Sequence, residues 1–263
     1  MEQGLGEFRK KYGPWALVTG ASSGIGEEFC KQLAVRKMDL VLVARRQERL
    51  ERLANELRRQ CRIQTKVIAG DLENEEFMRE VYAGTDALEV GLLVNSAGFA
   101  LTGDFLERPV EAHLSLLHLN CRAPLMLAHN YGHRMAKRGR GGIINIASAA
   151  AFLAMPYWSN YAASKAYLLS FSEAIGHELH QEGVDVLALC PGATRTEFCA
   201  VAGTRSAGME VVDVVRYALM SLGKRPLAIP GFGNRLVTLL TRLFPRGTLT
   251  KIGAKTVRGM VAR

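Results

Sequence analysis

The chain is predicted to form one α/β domain, a doubly wound and mostly parallel sheet of seven strands with helices on both faces. Short apolar runs rich in Val, Ile and Leu recur along the chain, and amphipathic stretches of helix length separate them. A strand buried on both faces reads as a continuous apolar run, and parallel neighbours need a crossover of helix length. A length of 263 residues suits one large core.

In chain order the apolar runs place strands at 15–19, 39–44, 65–69, 91–95, 142–147, 184–190 and 227–230. Helical patterns lie between them at 24–36, 47–60, 75–83, 110–137, 159–182 and 209–222. The Arg, Lys and Gly cluster that ends in Gly141-Gly142 marks a loop inside the domain. Internal repeats and low-complexity segments are absent from the sequence. Residues 1–263 thus read as one domain, with 231–263 a basic amphipathic extension.

The composition, 48% hydrophobic and 22% charged, is that of a soluble globular protein. Neither a run of about eighteen apolar residues nor an apolar signal core after Met1 is present, so the cytosol is the expected address. Cys30, Cys61, Cys121, Cys190 and Cys199 are widely spaced and odd in number, and are expected to be free thiols. The net charge of +9 has one source. Residues 224–263 hold nine Lys and Arg and no Asp or Glu, while the other 223 residues carry 25 charges of each sign. High pI is therefore no argument for nucleic-acid binding, and aromatic residues are sparse in the tail.

Chemistry is concentrated in Tyr161-Ala-Ala-Ser-Lys165. On a helix, positions i and i+4 share a face, so a phenol and an ammonium can meet in one site. A fixed cation favours the phenolate and draws the tyrosine toward acid–base work near neutral pH. A second cluster, Thr19-Gly20-Ala21-Ser22-Ser23-Gly24-Ile25-Gly26, joins the first strand to the first helix. Glycines there allow a tight turn and close approach of a pyrophosphate to the helix N-terminus. The second strand ends in Val43-Ala44-Arg45-Arg46 where an acidic residue would hold a ribose 2′-hydroxyl. Two arginines welcome a 2′-phosphate instead, which favours NADP.

These motifs, with Asp71-Leu72, Asn95-Ser96-Ala97-Gly98, Asn120, Ser148 and Pro191-Gly192 in order, resemble the short-chain dehydrogenase/reductases from Trp15 to about Pro230. The resemblance implies a Rossmann-type domain, NADP(H) as cofactor, and hydride transfer between nicotinamide and a carbonyl or secondary alcohol. Tyr161 would be the general acid or base, with Lys165 beside it holding the nicotinamide ribose. Ser148 would bond the substrate oxygen, and Asn120 would hold a water that links Lys165 to solvent. Gly20, Ser22, Ser23, Gly24, Ile25 and Gly26 would cradle the pyrophosphate, with Arg45 and Arg46 at the 2′-phosphate. Asp71 and Leu72 would flank the adenine, and Asn95, Ala97 and Gly98 its ribose. Pro191 and Gly192, with Thr196 or failing that Thr194, would meet the carboxamide. The family's usual Asn-Asn-Ala-Gly reads Asn95-Ser96-Ala97-Gly98 here.

Phe99, Phe152, Leu153, Met155, Tyr157, Trp158 and Phe198 are candidate pocket walls, suggesting an apolar substrate. Residues 195–209, with Gly203, Ser206, Gly208 and Cys199, suit a lid. Oxidation of a hydroxy acid or amino alcohol would use the same site, and a non-catalytic nucleotide sensor on the same fold is the reading from another class. The family implies a homo-dimer or tetramer. The histidine pairs His113/His118, His129/His133 and His177/His180 read as surface residues, with no metal expected.

Beyond Pro230, Leu236, Leu239, Leu240, Leu243 and Phe244 follow helical spacing beside Arg235, Arg242 and Arg246. The extension resembles that of a branch of short-chain reductases with basic, Leu-rich C-termini. Three roles stay open for it: packing on the protein or another subunit, contact with an anionic membrane surface, or a path for an acidic or acyl-chain substrate.

Overall fold

Seven parallel strands form the sheet of the computed structural model, which describes residues 2–198, 208–241 and 243–261. They are β1 (Trp15–Thr19), β2 (Asp39–Ala44), β3 (Thr65–Ala69), β4 (Val90–Asn95), β5 (Gly141–Ile146), β6 (Val184–Leu189) and β7 (Leu227–Ala228). Their spatial order is β3-β2-β1-β4-β5-β6-β7, and every neighbouring pair is parallel. The chain winds outward from β1 to β3, then returns to place β4 on the other side of β1. That reversal leaves a crevice at the carboxyl ends of β1 and β4, where ligands of such sheets bind.

Side chains alternate across the sheet, so each apolar run feeds two cores. Ala16, Val18, Leu40 and Leu42 pack on one face against Phe29, Cys30 and Leu33 of α2 (Gly24–Val35), Leu50 and Leu53 of α3 (Gln47–Cys61), and Val214 and Ala218 of a later helix, Val211–Ser221. Leu17, Val41, Val43 and Leu93 pack on the other face against Met78 of α4 (Glu75–Gly84) and Leu127 and Tyr131 of the helix Ala123–Ala136. Each Leu or Phe so buried contributes about 1.5–3 kcal/mol.

Several boundaries differ from expectation. A first helix, α1 (Glu2–Tyr12), escapes sequence reading because, among its described side chains, Phe8 and Tyr12 alone reach the core, against a polar background. Tyr12 Oη donates to Asp185 at 2.6 Å, which clasps this helix to β6. The stretch 110–137 is not one helix. It divides into α5 (Val110–Leu117), a π turn (His118–Arg122) and α6 (Ala123–Ala136). The next helix, α7 (Ser159–His180), and α8 (Val211–Ser221) are shorter than their patterns, and β7 keeps only two residues. Met209 belongs instead to a bridge with Thr194.

The extension forms two helices, α9 (Phe232–Leu240) and α10 (Arg246–Val261). Leu243 and Phe244 lie in the turn before Pro245, beyond the helix their spacing suggests; Arg242 lies outside the described residues. Among the described residues no helix is long and apolar enough to cross a membrane. No group of three metal-ligating side chains occurs among them. Cys30, Cys61, Cys121 and Cys190 are free thiols, and Cys199 lies outside the described residues.

Candidate active site

Lys165 anchors the site. Helix α7 carries it into the interior beside Tyr161, and both side chains are buried. Its Nζ donates to the Ile146 carbonyl at 2.7 Å and lies 5.8 Å from the centre of the Tyr161 ring. Burial disfavours the ammonium, so the Lys165 pKa falls from 10.5 to about 8. The thiols of Cys121 and Cys190 nearby oppose that fall.

Asn120 sits in the π turn, where one extra residue rotates the chain and aims this side chain inward. Its Oδ1 accepts from Phe99 N at 3.1 Å, and its Nδ2 donates to Phe99 O at 3.0 Å and to Ser164 Oγ at 3.0 Å. Ser164 Oγ in turn donates to the Tyr161 carbonyl at 2.7 Å. The turn is thereby tied to the loop after β4 and to α7. A Cβ on Gly98 would stand 2.9 Å from Asn120 Oδ1 and 3.5 Å from Lys165 Nζ, so a side chain there would invade the site.

Ser148 lies two residues beyond β5, which stops at Ile146, one residue short of the expected end at Ala147. Its Oγ accepts from Ala150 N at 3.1 Å and caps the 3-10 turn Ala149–Phe152. Ala149 N donates to Pro191 O at 2.9 Å, joining this turn to Pro191-Gly192 after β6. Thr194 Oγ1 donates to Gly192 O at 3.1 Å. Thr196 reaches the Gly-rich turn, where a Cβ on Gly24 would meet its side chain at 3.2 Å. The ends of 195–209 are pinned by Arg195 N to Met209 O at 3.0 Å and Met209 N to Ala193 O at 2.9 Å. Residues 199–207, with Gly203 and Ser206, lie outside the described residues.

The Gly-rich turn has a form that suits a dinucleotide. Gly20 adopts φ +66°, and a Cβ there would strike Ala97 N at 2.9 Å. A Cβ on Gly26 would collide with the Gly20 carbonyl. Ser23 stands at the N-cap of α2 without capping it, so the first N–H groups keep no side-chain acceptor. Ile25 packs against the core, and Thr19 Oγ1 accepts from Ser96 N at 3.0 Å and Ala97 N at 3.1 Å. An uncapped helix start, a turn whose glycines leave no room for a Cβ, and two nearby arginines fit a phosphorylated dinucleotide.

The arginines divide their work. Arg46 donates to Ser22 Oγ at 3.0 Å and Ser23 Oγ at 2.7 Å, beside the turn. Arg45 faces Asp71 at 3.7 Å across the mouth, with Leu72 buried behind. The sequence shows no acidic rival to these arginines before Glu48, but the fold brings one. Glu197 pairs with Arg46 at 3.0 Å and Arg49 at 2.7 Å, and Arg49 and Arg46 hold its carboxyl below the usual range.

Sequence reading missed one polar chain. Asn95 Nδ2 donates to Asn145 Oδ1 at 2.8 Å, Asn145 Nδ2 to Ser172 Oγ at 2.9 Å, and Ser172 Oγ to Leu168 O at 2.5 Å. It locks β4 and β5 to α7 two turns beyond Lys165. Its signal was an Asn inside an otherwise apolar strand. Among the proposed walls, Phe99, Leu153, Met155, Tyr157, Trp158 and Phe198 cluster with Tyr161, whereas Phe152 packs elsewhere, with Leu169 and Cys190. Val257 of α10 is fully buried in the Tyr161 cluster, and Arg258 lies over the Tyr157 ring at 4.8 Å.

Residues 14–206 match the family described as short chain dehydrogenase. The chain is similar to a 7beta-hydroxysteroid dehydrogenase of Collinsella aerofaciens, 34% identical over 189 residues that make up 72% of each chain. A solved structure concerned with 7beta-hydroxysteroid dehydrogenase stereoselectivity superposes with a TM-score of 0.88 at 28% identity, covering 94% of this chain and 98% of the other. A short-chain dehydrogenase from Sphingobium yanoikuyae in complex with NADPH gives a TM-score of 0.80 at 35% identity, over 88% and 93%.

Proposed function

Since this chain belongs to the short chain dehydrogenase family, we propose that it is an NADP(H)-dependent oxidoreductase of a bulky apolar ketone or the matching secondary alcohol. The observation that carries the reading is the buried Tyr161–Lys165 pair, bridged by Asn120 and Ser164 to the loop of Gly98. NADPH, when bound, supplies the hydride. Gly20, Ser22, Ser23, Gly24 and Ile25 would hold its pyrophosphate, and Arg46, with Arg45, its 2′-phosphate. Asp71, Leu72, Asn95 and Ala97 would bound the adenosine, and Pro191, Gly192 and Thr196 or Thr194 the nicotinamide.

Each side chain then has one task. Tyr161 gives its hydroxyl proton to the substrate oxygen in reduction and takes it back in oxidation. Lys165, which pairs with no carboxylate among the described residues, stabilises the phenolate left behind. Ser148 donates to the developing alkoxide, and Asn120 fixes the backbone that shapes the proton route. Phe99, Met155, Trp158, Phe198 and Val257 exclude water and favour an apolar body. The hydroxysteroid relative supports a bulky substrate, and the NADPH-bound neighbour supports the cofactor. In this reading the chain works as a homo-dimer or tetramer, for which exposed Val110, Leu114, Leu125 and Tyr167 supply an apolar face.

Tyr161→Phe tests the mechanism. It is expected to keep NADPH binding by fluorescence titration while turnover of a bulky ketone, followed at the NADPH absorbance band, falls about a hundred- to ten-thousandfold. Undiminished turnover would overturn the assignment.

A further inference from the structure

Helix α9 lies on the protein with its polar side inward. A surface helix ordinarily buries its apolar stripe and exposes the polar one. Here Thr238 is buried and Asn234 half-buried. Both are satisfied close by: Asn234 Nδ2 donates to Pro230 O at 2.8 Å, and Thr238 Oγ1 to Asn234 O at 2.8 Å. Thr241 Oγ1 donates to Thr238 O at 2.7 Å. The opposite stripe holds Phe232, Leu236, Leu239 and Leu240, and continues through Leu243 and Phe244. Phe232 is 80% exposed and Leu243 74%, so this face has no cover among the described residues. Contiguous exposed apolar side chains of this size mark a surface that meets something.

Charge decides what it meets. Arg235, Arg246, Lys251 and Lys255 are exposed on the same extension, and residues 224–263 contain no carboxylate side chain to offset them. We propose that the outer face of α9 and the turn after it dock on an anionic membrane leaflet, with Phe232, Leu239 and Leu243 entering the acyl boundary and the basic residues meeting the head groups. Such a pattern binds by apolar area and electrostatic attraction together. A second copy is a poorer occupant. A two-fold contact sets a patch against itself, which here would bring cations together without one carboxylate between them.

Docking would also place the substrate entrance at the lipid surface. Asn234 stands against Gly192, where a Cβ would come within 2.6 Å of it, and α10 of the same extension buries Val257 beside Tyr161. This consequence rests on the proposed ketone chemistry; the docking itself does not.

Co-sedimentation of the full chain at low salt tests the surface, using vesicles of about one part phosphatidylserine to two of phosphatidylcholine beside phosphatidylcholine alone. The wild type is expected to bind the anionic vesicles about tenfold more tightly. Leu239→Asp with Leu243→Asp, and separately Arg246→Glu with Lys251→Glu, should each weaken that binding about tenfold. Thermal unfolding, independent of turnover, certifies that the variants fold. Absence of wild-type binding, or equal binding by the variants, overturns the proposal. So does a wild type that ignores vesicles while light scattering shows the Leu variant losing a subunit contact.

Discussion

Lys165 is a cation held where water cannot reach it, and its behaviour with pH follows from that. Its folded pKa of about 8 lies below the value of 10.5 for an exposed lysine, because burial penalises the charge. The cost of burying the cation is therefore present below about 8 and removed as pH rises toward 10.5. In that window the unfolded chain binds more protons than the folded one, so stability rises with pH. Urea unfolding of the cofactor-free protein should show wild type gaining on the order of 3 kcal/mol relative to Lys165→Met between those limits. A difference that stays flat would mean the ammonium is solvated. Arg46 is the second residue whose placement carries a prediction. Its guanidinium lies against Ser22 and Ser23, whereas Arg45 faces Asp71. Arg46→Ala should raise the NADPH dissociation constant about tenfold or more and leave NADH within about twofold, by fluorescence titration. Equal losses for both cofactors would remove the 2′-phosphate from its duties.

At the scale of elements, the π turn between α5 and α6 does what an uninterrupted helix could not. It points Asn120 at Phe99, whose N–H and C=O both depend on that side chain. Asn120→Ala would orphan both groups and is expected to cost about 2 kcal/mol in urea unfolding. A cost near zero would show that the loop after β4 holds itself. The apolar and amphipathic periods of the sequence show where this region is helical but not that the helix breaks, because a one-residue bulge leaves them almost unchanged. The strands were legible for the opposite reason: Leu40–Val43 and Leu92–Val94 are buried on both faces, so burial itself writes the pattern. The motifs Gly20–Gly26 and Tyr161–Lys165 were legible because each is local. Glu197, 151 positions from Arg46 along the chain, was not, since only tertiary structure makes them neighbours. Helix α1 was hidden by its polar composition, and α10 by a pattern in which Gly253 and Val257 alone are buried among the described side chains.

Across the whole molecule the proposed reading assigns different tasks to the two halves of the sheet. The β1–β3 half and its loops carry the Gly-rich turn, Arg45, Arg46 and Asp71, while β5–β7 and the extension surround Tyr161 with apolar walls. In the proposed reading, recognition of the adenosine end of the cofactor and of the substrate body rests on different ends of one sheet, joined at Asn95 of β4, Gly98 in the loop after it, and Lys165 on α7. A change at the far end of the extension should act on one function alone. Val257 is fully buried among Met155, Trp158 and Tyr161, and a buried Val contributes about 1.5–3 kcal/mol, or roughly a tenfold or greater effect on binding. Ending the chain after Pro245 removes α10 without touching the sheet. NADPH affinity should then stay within about twofold, while KM for a bulky apolar ketone rises about tenfold, with Val257→Asp moving it the same way. Steady-state kinetics set beside cofactor titration separate the two quantities. Parallel loss of both would mean that α10 supports the sheet as a whole, and that the extension is a buttress of the fold and not a wall of the pocket.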